Sequence, residues 1–165
     1  MNSAQQRALE IRRRYRFTCP RDIERVLKAQ GIQVVRFPFK GRVREVIVRN
    51  FVGLPLTLEH DAREKYELLA HALGHYLLHA GNQLFFHLDQ DQVIVWQWER
   101  QAWDFAHELL MPAEILELLL QEQWSDADLR ERFQVSAEFF RERMQAFREA
   151  YVARMRRNPA GTETL

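Results

Sequence analysis

"AHALGHYLLH", residues Ala70–His79, is the stretch on which the fold and the chemistry turn. His71 and His75 stand four apart, so on a helix they project from one face, close enough for both imidazoles to reach a single cation. Spacing alone is a weak signal. Paired histidines beside apolar residues are more often packed, hydrogen-bonded core groups than ligands. The run Leu68–Leu88 contains no Asp, Glu, Lys or Arg. Four histidines and the "AGNQ" break argue against a membrane span there.

Working outward, a helix is predicted over about 61–80, charged in its first half and apolar in its second, with Gly81 and Asn82 as the C-terminal cap. Such a helix starts in water and runs into the core. A loop with a short strand pair, "LFFHLDQDQVIVW", is expected next. The following helix, about 96–111, repeats apolar residues at helical spacing and ends at Pro112. Glu99 on it shares a face with Ala102 and Ala106, whose small side chains would let another helix or a metal approach. It is the strongest candidate for a third ligand. The competing reading is a solvated glutamate opening a helix. His107, two turns on, is a further candidate ligand. His79 shares the face of His71 and His75, but three side chains over two turns do not easily converge on one ion, so it is read as structural or supporting. His60 and His87 fit no pattern.

A glutamate directly after the first histidine would complete the H-E-x-x-H motif of zinc peptidases, where it takes a proton from the attacking water and passes it to the leaving amine. Here that position is Ala72. Alanine is the best helix former and has no proton to move.

"LLAHALGHYLLH" followed by "ERQAWDFAHELLMP" resembles the ImmA/IrrE family of zinc metallopeptidases. The second motif stands as Glu99, Ala102, Phe105, Ala106, Leu109, Leu110, Met111 and Pro112. The resemblance spans Pro20 to about Met155 and implies an α+β fold: a mostly helical zincin-like metallopeptidase domain with a small β-sheet and a helix-turn-helix-like C-terminal extension. It implies one Zn2+ per chain held by His71, His75 and Glu99. Tyr76, His79 and His107 are our candidates for groups supporting those ligands. It also implies a protein substrate such as a DNA-binding repressor. Ala72 occupies the place of the family's general base, so the chain as written is expected to cleave little or nothing. A single loss in an otherwise complete motif fits either an inactivating substitution or a natural pseudo-enzyme.

The rest of the chain sets the frame. Of 165 residues 47% are hydrophobic, enough for one domain with a real core, and the net charge of +1 gives no global attraction to nucleic acid. Cys19, the single cysteine, allows neither an internal disulfide nor a cysteine zinc cage, which suits a reducing cytoplasm. The polar N-terminus has no apolar stretch of the signal-peptide kind. Residues 4–16 read as a helix, and "TCPRDIERVLKAQG" as a second helix stopped by Gly31. "IQVVRF" and "VREVIVRNFV" read as strands with "FPFKGR" as a turn, and "LPLT" as a connector. The expected organisation is a metallopeptidase core over 1–112, a helical extension over 113–157 with N-caps at Ser125 and Ser136, and a flexible tail over 158–165.

Two other functions compete. One is a non-catalytic zinc protein that grips a repressor. The other is a helix-turn-helix DNA-binding module, from the spacing in "DLRERFQVSAEFFRERM". Its second helix opens with Ala137, Glu138, Phe139 and Phe140, poor readers of base edges, and the aromatic stripe fits a core face. A peptide partner is expected to add as a strand to an exposed edge, with Arg44–Asn50 the candidate.

Overall fold

In the computed structural model of the chain, residues 1–39, 45–56, 58, 62–79 and 92–157 are described. His60, His87, the Gly81–Asn82 cap and the 158–165 tail lie outside them, as does most of the expected strand pair after the first motif. The described chain is a mostly helical α+β fold with one small sheet.

Helix α1 (Ser3–Tyr15) opens with a capping box in which Asn2 and Gln5 each accept the other's backbone N–H at 2.9 Å. Its buried face, Ala4, Ala8 and Ile11, is narrow and small, which lets it lie closely against the body. Helix α2 (Asp22–Ala29) begins two residues after Pro20, because the Asp22 carboxylate turns back to accept from the backbone of Thr18 and Cys19. Gly31, at φ +72°, supplies the left-handed stop.

The sheet runs β1 (Gln33–Phe37), β3 (Phe51–Pro55), β2 (Val46–Val48) in space, with β1 parallel and β2 antiparallel to β3. Two expectations are corrected here. The described part of "VREVIVRNFV", from Glu45 on, is not one strand: Arg49 adopts φ +52° and folds it into a hairpin. "LPLT" is not wholly a connector, since Leu54 and Pro55 pair with Arg36 and Phe37. Ile47, Val52 and Leu54 face the core, and β2 forms one edge of the sheet.

Helix α3 (Ala62–Leu78) carries the histidine motif, and α4 (Gln92–Leu110) crosses it closely. Gly74 makes that crossing possible. A Cβ there would sit 2.9 Å from the Ala102 carbonyl oxygen and 3.1 Å from its Cα. Leu69, Leu73, Phe105, Ala106 and Leu109 seal the contact. Helix α4 begins at Gln92, a turn before the expected Trp96, so Val93, Ile94 and Val95 are helical rather than extended. Their β-branching costs a helix only tenths of a kcal/mol each, roughly, and does not decide the local structure.

Three helices complete the chain: α5 (Ala113–Gln121), α6 (Asp126–Phe133) and α7 (Ala137–Arg157). Ser125 caps α6 and Ser136 caps α7, accepting from Asp128 N and Phe139 N at 3.2 Å. Two buried carboxylates fasten α7 to the body. Glu67 of α3 accepts from Ser136 N at 2.5 Å and its hydroxyl at 2.9 Å. Glu108 of α4 pairs with Arg143 at 2.7 Å and also accepts from Ala113 N at 3.0 Å. Among the described residues no helix is long and apolar enough to cross a membrane.

Candidate metal centre

The close crossing of α3 and α4 brings together the three residues that the sequence singles out. His71 and His75 are buried, 5% and 2% exposed, and Glu99 reaches over from the first half of α4. The Glu99 carboxylate lies 3.1 Å from His75 Nε2 and 3.3 Å from His71 Nε2. One donor atom from each residue falls within 4.8 Å of the other two. Among the described residues this His–His–Glu cluster has the geometry to hold a metal ion.

The donor set fits a cation. His71 Nε2 is fully buried and close to Glu99, yet makes no aligned hydrogen bond. An inward-facing nitrogen without a hydrogen-bond partner is costly in a packed interior and is satisfied by a ligated metal. Two neutral nitrogens and one carboxylate oxygen suit zinc-type coordination, with a further position left for solvent. The Glu99 side chain is 36% exposed, so the cluster opens to water on that side.

Both rings have close polar and aromatic neighbours. The Glu45 carboxylate, just before β2, bonds His71 Nδ1. The Trp103 ring stacks on the His71 ring with centroids 4.1 Å apart. His75 Nδ1 lies 3.2 Å from His79 Nδ1, and His79 Nε2 lies 2.9 Å from the Gln101 Oε1 oxygen. Trp98 stacks on His79.

Without a cation the cluster is an ion-pair network. Burial opposes charge on His71, but Glu45, and then Glu99, outweigh it and raise its pKa to about 9. Burial also opposes charge on Glu99, yet the two imidazoles hold its carboxyl well below the usual range. Burial lowers the pKa of His79.

Of the other sequence candidates, His79 backs His75 directly. His107 lies elsewhere: its ring packs edge-on against Phe139 at 4.7 Å, and its Nε2 has no hydrogen-bond partner among the described residues. Burial, with Arg143 and His71 nearby, depresses its pKa to about 3. Tyr76 stands at the surface, 37% exposed. Ala72 is fully buried beside His71.

The family model for the IrrE N-terminal-like domain, the M78 peptidases, matches residues 27–145. The chain belongs to this family. No curated protein matches it. Membership in the M78 metallopeptidases puts the His71–His75–Glu99 cluster in a metallopeptidase-type setting, with α3 and α4 both inside the matched span.

Sequence reasoning missed Glu45, Gln101 and Trp103. Glu45 carried a readable sign. Period-two alternation puts it on the side of Ile47, which is 5% exposed, so a carboxylate falls on the buried face of a strand. Such a group needs a partner inside. Gln101 and Trp103 carried no comparable sign, because their roles depend on where α3 lies.

Proposed function

We propose that this chain is a zinc-binding metallopeptidase scaffold that engages a DNA-binding repressor in the cytoplasm, and that Ala72 leaves it with little or no cleavage activity. The observation that carries the reading is the convergence of His71 Nε2, His75 Nε2 and the Glu99 carboxylate. One zinc ion per chain is held by these three residues.

Zinc, when bound, supplies Lewis acidity toward a peptide carbonyl and toward water. The protein must supply the proton traffic, and here its own residues fall short. Ala72 offers a methyl group at the motif position of the base. Glu45 does not stand where that base would: its Oε1 bonds His71 Nδ1, the ring nitrogen turned away from Glu99, while its Oε2 has no hydrogen-bond partner among the described residues. Positioned proton transfer is worth roughly 10²–10⁴ in rate, and that factor is the expected deficit.

A protein partner is favoured over duplex DNA by two features. Strand β2 is a sheet edge, and Glu45, the residue before it, touches the candidate ligand His71, so a peptide laid along that edge passes beside the cluster. At the start of α7, Phe139 and Phe140 are buried and so cannot meet a base, and the exposed Glu138 repels phosphate.

The test is an Ala72→Glu variant incubated with a candidate repressor, alongside the parent and with zinc measured in both. Cleavage by the variant at ~10²–10⁴ times the parent rate supports the dormant peptidase. A folded, zinc-loaded variant that binds the repressor and cuts nothing supports a dedicated binder instead.

A further inference from the structure

Glu45 and Gln101 are hydrogen-bonded behind the cluster, outside the three donors. An imidazole ligates through one nitrogen only if that nitrogen has shed its proton, and the bond made by the other nitrogen decides which one does. Both candidate ligands are controlled in this way, by different devices from different elements.

At His71 the device is direct. A carboxylate at neutral pH can only accept, so Glu45 obliges Nδ1 to carry a hydrogen. Nε2, facing Glu99, is then the nitrogen that can be bare.

At His75 the device has one more link. The Oε1 oxygen of Gln101 accepts from His79 Nε2 at 2.9 Å. A neutral His79 donating from Nε2 has a bare Nδ1. That Nδ1 lies 3.2 Å from His75 Nδ1, so His75 must donate there. His75 Nε2, 3.1 Å from Glu99, is left free to ligate. Turning the Gln101 amide over would reverse every link and put a hydrogen on His75 Nε2. Gln101 sits two residues after Glu99, so one turn of α4 carries both the acidic donor and the group that sets the tautomer of a histidine donor on α3.

We infer that Glu45 and Gln101 are positioning residues: Glu45 directly, and Gln101 through His79, hold His71 and His75 with Nδ1–H outward and the Nε2 lone pairs converging on the Glu99 side. The inference rests on the proposed metal site, and it assigns roles to two residues outside the ligand set.

The experiment compares the full-length parent with Glu45→Ala, Glu45→Gln and Gln101→Ala, each checked for an unchanged circular-dichroism spectrum. Zinc affinity is measured by chelator competition, and the ring nitrogens of the zinc-loaded proteins are observed by 15N NMR. The parent is expected to show Nδ1–H on both ligating imidazoles. The two alanine variants are expected to lose roughly 10–100-fold in zinc affinity, the usual cost of removing such a partner. Glu45→Gln keeps an acceptor oxygen and is expected to retain most of the affinity and the His71 tautomer. A merely structural role would lower the urea-unfolding midpoint together with the zinc affinity, whereas a positioning role lowers the affinity at parent-like stability of the metal-free protein. Parent-like affinity in both alanine variants, or zinc bound through Nδ1 in the parent, overturns the inference. A folded parent that binds no zinc overturns the metal site itself, a distinguishable result.

Discussion

Gly74 of α3 lies directly against the backbone of Ala102 in α4, with no room for a side chain between them. Gly74 comes just before His75, and Ala102 one turn after Glu99, so this contact sets how far the two imidazoles stand from the carboxylate. Gly74→Ala would force its methyl to 2.9 Å from the Ala102 carbonyl oxygen, a backbone atom that cannot turn aside. The expected cost is about 1–3 kcal/mol of stability, with zinc affinity falling further than in a core variant remote from the crossing. Paired denaturation and chelator-competition measurements check both.

The Glu108–Arg143 pair is buried on both sides and fastens α7 to α4. Burial pushes the Arg143 pKa down, and Glu108 opposes that. Removing one partner strands the other charge. Glu108→Ala is expected to destabilise by about 3–5 kcal/mol, since Glu108 also accepts from Ala113 N. Urea unfolding gives the value.

His107 makes stability depend on pH. Its folded pKa, depressed to about 3, lies below its ordinary 6.5, so the unfolded chain takes up the proton first. Stability from this group is fully present above pH 6.5 and is lost as pH falls toward 3, by at most about 5 kcal/mol. Arg143 and His71 face His107 and oppose its charge, and His71, at about 9, stays protonated throughout this window in the metal-free protein. His79, also depressed, works in the same direction. Melting curves of metal-free protein from pH 7 to 5 should fall, and His107→Gln should flatten part of that fall.

Glu67 links the histidine helix to the start of α7 through two hydrogen bonds to Ser136. Glu67→Gln keeps one acceptor and loses the charge facing the helix N-terminus. A loss of about 1–2 kcal/mol is expected, with zinc content unchanged, because Glu67 is not one of the three donors. Stability and metal measured on one preparation separate the effects.

The sequence was legible where a local rule governed. The charged-to-apolar change along Ala62–Leu78, the serines at 125 and 136 and Gly31 each follow from hydration, capping or backbone freedom. Ala102 and Ala106 pointed to a close helix approach, and with Gly74 that crossing brings Glu99 to the histidines. Legibility failed where tertiary contacts decide. The hairpin turn depends on a non-glycine residue, Arg49, in the left-handed region, which composition does not announce. The first turn of α4 overrides three β-branched residues. Glu45 and Gln101 gain their partners only once α3, α4 and the sheet are assembled.

Three donors from two helices converge closely enough to share one cation. Elemental analysis of the folded chain purified without added metal, beside His75→Ala and Glu99→Ala, tests it most directly. The prediction is about one zinc per parent chain and a near-complete loss in both variants. A folded parent without metal, or variants that retain as much as the parent, would contradict it.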